Sequence, residues 1–295
     1  MSAEPRVDRS SNESLGVCLP ASRSGMGVLF VWPILWVAVA YALFPVVWLI
    51  VTSLKVPRDI FALPPRLIFE PTLANYIYNF QQNLFGLYLF NSLFISATAM
   101  LISLVVGSLG AYGFLRFRFR GSGLLFYAVL GTRMVPQVVL IVPLFIMLNA
   151  MGITNTRLGL ILVYGAINVP LVMWILNGFL EDLPWELEDA ARIDGASYIG
   201  ALFRVILPLA SPGLAAVAVF TFIANWNEFL IALVLTSTQT PRTLPLALAL
   251  LNTQYGVRWD YLSAAGVTLI LPALAFTFLM QKYIVSGLTF GAVKS

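Results

Sequence analysis

Few residues in this 295-residue chain can do proton or metal chemistry. It has no histidine and one cysteine, Cys18. That removes imidazole bases, His/Cys metal sites and an intrachain disulfide framework. Carboxylates are left. Glu228 and Asp260 could in principle share general acid and base work. The depths predicted for them put the two acids far apart, which argues against an enzyme. Glu228 and Arg133 are the two charges inside long apolar segments. Charges in such places face a protein interior or water. They could contact a solute, form a gate, or be satisfied structurally near a helix end. The neighbours Asn225, Trp226 and Asn227 make a polar knot with Glu228. Amides and an aromatic suit sugar hydroxyls, and they also hold helices together at roughly 1–2 kcal/mol per contact at best. The other concentration of chemistry is acidic. Glu181, Asp182, Glu186, Glu188, Asp189 and Asp194, six of thirteen acids, lie at or just before the stretch Pro184 to Pro208.

The elements that hold these residues are apolar. The chain is 60% hydrophobic and 10% charged, against roughly 25% charged in a soluble domain, and its mean hydropathy is +0.89. An all-α polytopic membrane protein is expected. About 20 apolar residues span a bilayer as a helix. Six segments qualify: 28–51, 91–115, 124–148, 158–180, 212–235 and 262–280. Pro136, Pro143, Pro170 and Pro272 fall inside them and predict kinks or breaks. The formal charge of +4 reads as topology rather than as affinity for nucleic acid. With the N-terminus inside, ten Lys and Arg lie on the inner side and six on the outer. Arg116, Arg118 and Arg120 in one short loop give the sharpest local signal. Both termini, Cys18 and the acidic stretch are therefore expected inside. Residues 1–27 are polar and mixed in charge, the composition of a disordered tail. Lys55 to Tyr88 reads as an ordered cap over the outer mouth, or a docking surface for an external partner.

The stretch from Pro184 has a helical grammar of its own. Pro184 suits a first turn. Glu186, Glu188 and Asp189 favour the positive end of a helix dipole. Leu187, Ala190, Ala191 and Asp194 share one face. Gly195 is placed to end the helix in a left-handed conformation, and Ser197 to cap a second one. Ile199, Leu202, Phe203 and Ile206 then form an apolar stripe, with Phe203 a possible anchor in a partner's pocket. Pro208 ends the stripe and opens the next span. An interfacial helix on the lipid is the alternative, although the acids fit poorly with an anionic inner leaflet.

The pattern D-A-A-x3-G-x9-V-x-L-P, Asp189 to Pro208, resembles the E-A-A-x3-G-x9-I-x-L-P signature of bacterial ABC-importer permeases. Asp189 stands where that family usually has Glu, and Val205 where it usually has Ile. L-E-D-A-A-R-I-D-G-A, T-R-M-V-P at Thr132 to Pro136, W-N-E-F at Trp226 to Phe229 and G-L-T-F-G-A-V-K at Gly287 to Lys294 are similar to the carbohydrate branch. The resemblance covers nearly all of the chain after residue 28. It implies a permease domain over 28–295 that moves a sugar or sugar-like solute by alternating access. It also implies that the loop docks into a cytoplasmic ATPase dimer. The loop residues concerned are Glu188, Asp189, Ala190, Ala191, Asp194, Gly195, Phe203, Leu207 and Pro208. A second permease subunit, an extracytoplasmic solute-binding protein and membrane lipid are the other implied partners. Gly287 to Ser295 is a tail that could touch the ATPase. No G-x-x-x-x-G-K-[ST] occurs, so ATP and magnesium are expected on a partner chain. The rival class is an ion-coupled secondary transporter using Arg133 and Glu228.

Overall fold

A computed structural model describes residues 25–117, 119–251 and 257–290. The disordered tail expected over 1–27 and the tail expected from Gly287 lie largely outside those residues. Gly25 to Gly27 belong to the first helix and Gly287 to Phe290 to the last. Two compact units divide the chain, Met1–Val47 and Trp48–Ser295. The described part of the first is helix α1, Gly25–Ser53, which continues into the second. Apolar side chains from Val31 to Phe44 are exposed, as lipid-facing residues would be.

The second unit is helical, with no strand among the described residues. After α1 come two short helices, α2 (Pro57–Ile60) and α3 (Ala74–Gln81), and the long α4 (Phe85–Arg116). Then follow α5 (Ser122–Gly131), α6 (Gln137–Ala150) and α7 (Arg157–Glu181). The acidic stretch gives α8 (Glu186–Ile193), α9 (Tyr198–Ala201), a π-helical turn Leu202–Ile206 and α10 (Leu207–Leu209). The chain closes with α11 (Ser211–Trp226), α12 (Leu230–Leu235), α13 (Leu244–Ala249) and α14 (Trp259–Phe290). Among the described residues four helices are long and apolar enough to cross a membrane, or up to six if each of two bent pairs counts as one span.

Helices α4 and α7 form the centre of this unit. Small residues let their backbones approach. A β-carbon on Gly107 would sit 2.5 Å from Val172 Cγ1, and one on Gly110 would sit 2.9 Å from Met173 Sδ. Ser103 Oγ donates across the seam to Gly165 O at 2.9 Å. The inner core joins Ala111 and Tyr112 of α4 to Leu176 and Leu180 of α7, and both to Leu202 and Ile206.

The helices differ from uninterrupted expected spans in three places. The fourth helix begins at Phe85, six residues before the expected 91, because Phe85 and Tyr88 pack against Phe222 and Trp226. The span expected over 124–148, with a kink or break predicted at Pro136, is broken there, with 99° between its halves. Val135 and Pro136 are extended there, with ψ 122 and 131, since proline disfavours helix in the residue before it. The expected span 212–235 is interrupted at Asn227 to Phe229, between α11 and α12.

The Lys55 to Tyr88 segment is ordered, as expected of a cap. Lys55 is buried and its Nζ donates to Arg66 O at 2.8 Å. Arg66 in turn holds the buried Asp59 at 2.9 Å. Asn75 Nδ2 donates to the carbonyls of Ser53 and Lys55, and Tyr78 stacks on Tyr261 at 4.2 Å.

Candidate functional site

The acidic stretch folds as two short helices with a glycine between them. Pro184 lies just outside α8 rather than in its first turn, and Trp185 flanks the start. The helix closes with a pair of bonds, Gly195 N to Arg192 O and Ala196 N to Ala191 O, each 3.0 Å. Together these satisfy two terminal carbonyls and require a left-handed residue between them. Gly195 has φ +92. No heavy atom lies within 4 Å of the place a β-carbon would take, so the backbone, not space, demands glycine. Ser197 Oγ caps α9 by accepting from Gly200 N at 3.1 Å.

Exposure sorts the candidate residues of the loop. Asp189, Ala190, Asp194, Gly195, Phe203 and Pro208 are exposed, and Ala191 is half-buried. Glu188 and Leu207 are buried. The predicted apolar stripe is two rows. Leu202 and Ile206 are fully buried against α4 and α7, while Ile199 and Phe203 face outward.

The buried Glu188 is fastened from α4. Its Oε1 accepts from Tyr112 OH and from Arg116 Nε, both at 2.9 Å. Arg116 Nη2 also reaches Asp189 Oδ1 at 2.5 Å. The Arg116 guanidinium lies 6.0 Å from the centre of the Trp185 ring. Sequence reasoning used Arg116 only as a topology marker. Nothing in its spacing pointed to an acid seventy residues away.

The second site is a polar cavity of about 80 Å³, lined by Arg133, Gln137, Tyr164, Asn168, Asn225 and Glu228 among others. The break at Pro136 turns Arg133 towards α7, where its Nη1 donates to Ile167 O at 3.1 Å and Asn168 Oδ1 at 3.4 Å. Asn168 Nδ2 donates to Asn225 Oδ1 at 2.7 Å. Glu228 accepts from Tyr164 OH at 2.6 Å and from the backbone N–H groups of Ile231 and Ala232 at 2.7 and 3.2 Å. Glu228 thus caps α12 from the interruption between helices. Arg133 and Glu228 line the same cavity without forming an ion pair: no ion pair among the described residues includes either side chain.

Two residues of the predicted path lie outside this cavity. Trp226 is 1% exposed. It packs against α14, donating from Nε1 to Leu269 O at 3.1 Å and stacking on Phe222. Asn227 is exposed on its own helix end and donates back to Ile223 O at 3.0 Å. Both neighbour Asn225 and Glu228 in sequence, but a helix sends consecutive residues to different faces. Tyr164 and Asn168 were missed, although they are polar residues at i and i+4 in an apolar helix, a signal that was present. Asp260 makes no contact with Glu228. It is buried beside Arg258, whose Nε and Nη2 reach it at 3.1 and 2.7 Å. That hydrogen bond is the main cause holding the Arg258 guanidinium pKa above its ordinary value. Among the described residues no cluster of acids and cysteine is suited to hold a metal ion.

Long apolar helices, a polar cavity among them and an exposed two-helix loop are the make-up of a membrane permease. The chain belongs to the family of binding-protein-dependent transport system inner membrane components, which matches residues 99–290. It is 38% identical over 261 residues to the trehalose transport system permease protein SugB of Mycobacterium tuberculosis, covering 87% of this chain and 94% of that one. It is 39% identical over 255 residues to the trehalose/maltose transport system permease protein MalG of Thermococcus litoralis, covering 85% and 91%. A probable ABC transporter permease, y4oR of Sinorhizobium fredii, is 37% identical over 264 residues, covering 89% and 95%. The fold is also that of a chain in a bacterial ABC transporter that imports alginate, with a TM-score of 0.74 at 23% identity over 89% of this chain and 98% of that one. The chain is a permease subunit of a binding-protein-dependent ABC importer, an inner-membrane component with several spanning helices.

Proposed function

We propose that this permease moves a sugar or sugar-like solute across the membrane by alternating access, driven by a separate ATPase dimer. The observation that carries the reading is the family match over residues 99–290, which contains both the hinged loop and the polar cavity. In this reading the exposed Asp189, Ala190, Asp194, Gly195 and Phe203, with the half-buried Ala191 beside them, dock in the ATPase, where ATP and magnesium are held. Both termini lie on that side. A second permease subunit completes the path, and an external binding protein delivers the solute. Arg133, Asn225 and Glu228, joined by Gln137, Tyr164 and Asn168, offer amide, hydroxyl and charged groups to solute hydroxyls. The sugar class is supported by relatives whose names specify trehalose and maltose transport.

The match to binding-protein-dependent transport components argues against the ion-coupled reading. Reconstitution separates the two. Proteoliposomes carrying the permeases and their ATPase, supplied with loaded binding protein, should accumulate labelled disaccharide only with internal or external ATP on the ATPase side. Uptake by this chain alone under a proton or sodium gradient, with no ATPase, would overturn the proposal.

A further inference from the structure

We propose that Arg116 is a positioning residue that transmits the movement of the hinged loop to helix α4, and through it to the broken span that carries Arg133. This rests on the reading of the loop as the ATPase-coupled element. The loop is joined by peptide bonds to α7 at one end and to α11 at the other. To α4 it is joined by side chains alone. Tyr112 and Arg116, one helical turn apart, converge on the single buried oxygen Glu188 Oε1, and Arg116 spends its second nitrogen on Asp189. A guanidinium fork engaging two successive carboxylates fixes the orientation of α8 as well as its distance. The other oxygen of Glu188 has no hydrogen-bond partner. An apolar pair in the same place would avoid burying a carboxylate, so this pair is poorly accounted for by stability alone.

The far side of the link is also visible. Arg116 is the last residue of α4, and six residues later Ser122 starts α5. Phe114 packs its ring on Phe119 in that turn, at 6.0 Å, and on Phe126 of α5, at 5.5 Å. Helix α5 leads directly into the turn Thr132–Met134 and so to Arg133 at the polar cavity. A displacement of α8 is therefore handed to α4 by ionic bonds, to α5 by aromatic packing, and to the cavity by the backbone. Transmission needs an element with two arrangements that both sites bias. The 99° break between α5 and α6 is where the span can change shape.

The test is the amount of solute moved per ATP hydrolysed, measured on purified complexes of both permeases with the ATPase and loaded binding protein. Arg116→Ala should still assemble and hydrolyse ATP, with the ratio falling roughly tenfold, within the range usual for coupling between sites. Arg116→Lys, which keeps the charge and loses the fork, should recover part of the ratio. Tyr112→Phe, which removes one hydroxyl, should lower it by a smaller factor. If Arg116→Ala does not assemble, Tyr112→Phe and Arg116→Lys decide the matter. An unchanged ratio in assembled Arg116→Ala, or in both milder variants, overturns the proposal. If the native complex shows no ATP-driven uptake, it is the coupling reading of the loop that fails. If the native complex couples and the variants couple equally well, the Arg116 role alone fails.

Discussion

Replacing Gly195 with residues that resist positive φ should loosen, in a graded way, the loop's hold on the ATPase proposed to dock there. The residue sits at φ +92 between the two closing bonds of α8. No heavy atom lies within 4 Å of an added β-carbon, so steric collision with neighbours contributes nothing. The whole cost is backbone, about 1–2 kcal/mol for a residue with a β-carbon in the left-handed region. Relief comes by letting the hinge rotate, which swings α9 and Phe203 relative to α8. A bias of that size lowers the population of the docked geometry by a factor of about 5–30. The apparent affinity for the ATPase should fall by the same factor, because the competent fraction scales the binding constant. Asn tolerates this conformation and should lose least; Asn155 of this chain already adopts φ +58. Ala should be intermediate, and Val, branched at Cβ, worst. The assay is titration of membrane-embedded permease with ATPase subunits, read as bound ATPase and as uptake. Excess ATPase should restore uptake in the Ala variant. Equal affinity across the Gly, Asn, Ala and Val series would refute the reasoning, since it would show that the hinge angle is irrelevant to docking.

Other perturbations test the bundle and the cavity. Gly107→Ala places a methyl 2.5 Å from Val172 Cγ1. Overpacking of this kind costs about 1–3 kcal/mol, visible as a lower unfolding temperature in detergent. Adding Val172→Ala should restore most of the loss, and a Gly107→Ala protein as stable as the native one would contradict the close α4 and α7 seam. Glu228→Ala strips partners from Tyr164 OH and from two N–H groups of α12. At about 1–3 kcal/mol for each buried group left unsatisfied, it should destabilise the fold clearly more than Asn227→Ala, whose side chain is exposed. Comparable losses in the two variants would contradict the capping role assigned to Glu228.

Much of this protein was legible in its sequence. Apolar runs long enough to span a bilayer fixed the helical class, because no other open structure satisfies its backbone in lipid. The alternation of acids, Gly195 and Ser197 marked the start, stop and restart of the loop helices, since those residues act through local backbone chemistry. Pro136 announced a break in the third span. Its consequence, a 99° bend that brings Arg133 to Asn168, could not be read. The same holds for Glu188, whose acidity was plain but whose direction was not. It turns inward because Arg116 and Tyr112, more than seventy residues earlier, offer it a charge and a hydroxyl. Trp226 and Asn227 were adjacent in sequence to Asn225 and Glu228, yet the helix sends them elsewhere, and Tyr164 and Asn168 of α7 take their place in the cavity. Local order came from residue type and spacing. Which polar groups meet was decided by how the helices pack, because contacts between distant segments depend on rotation and break angle, which one-dimensional spacing does not carry.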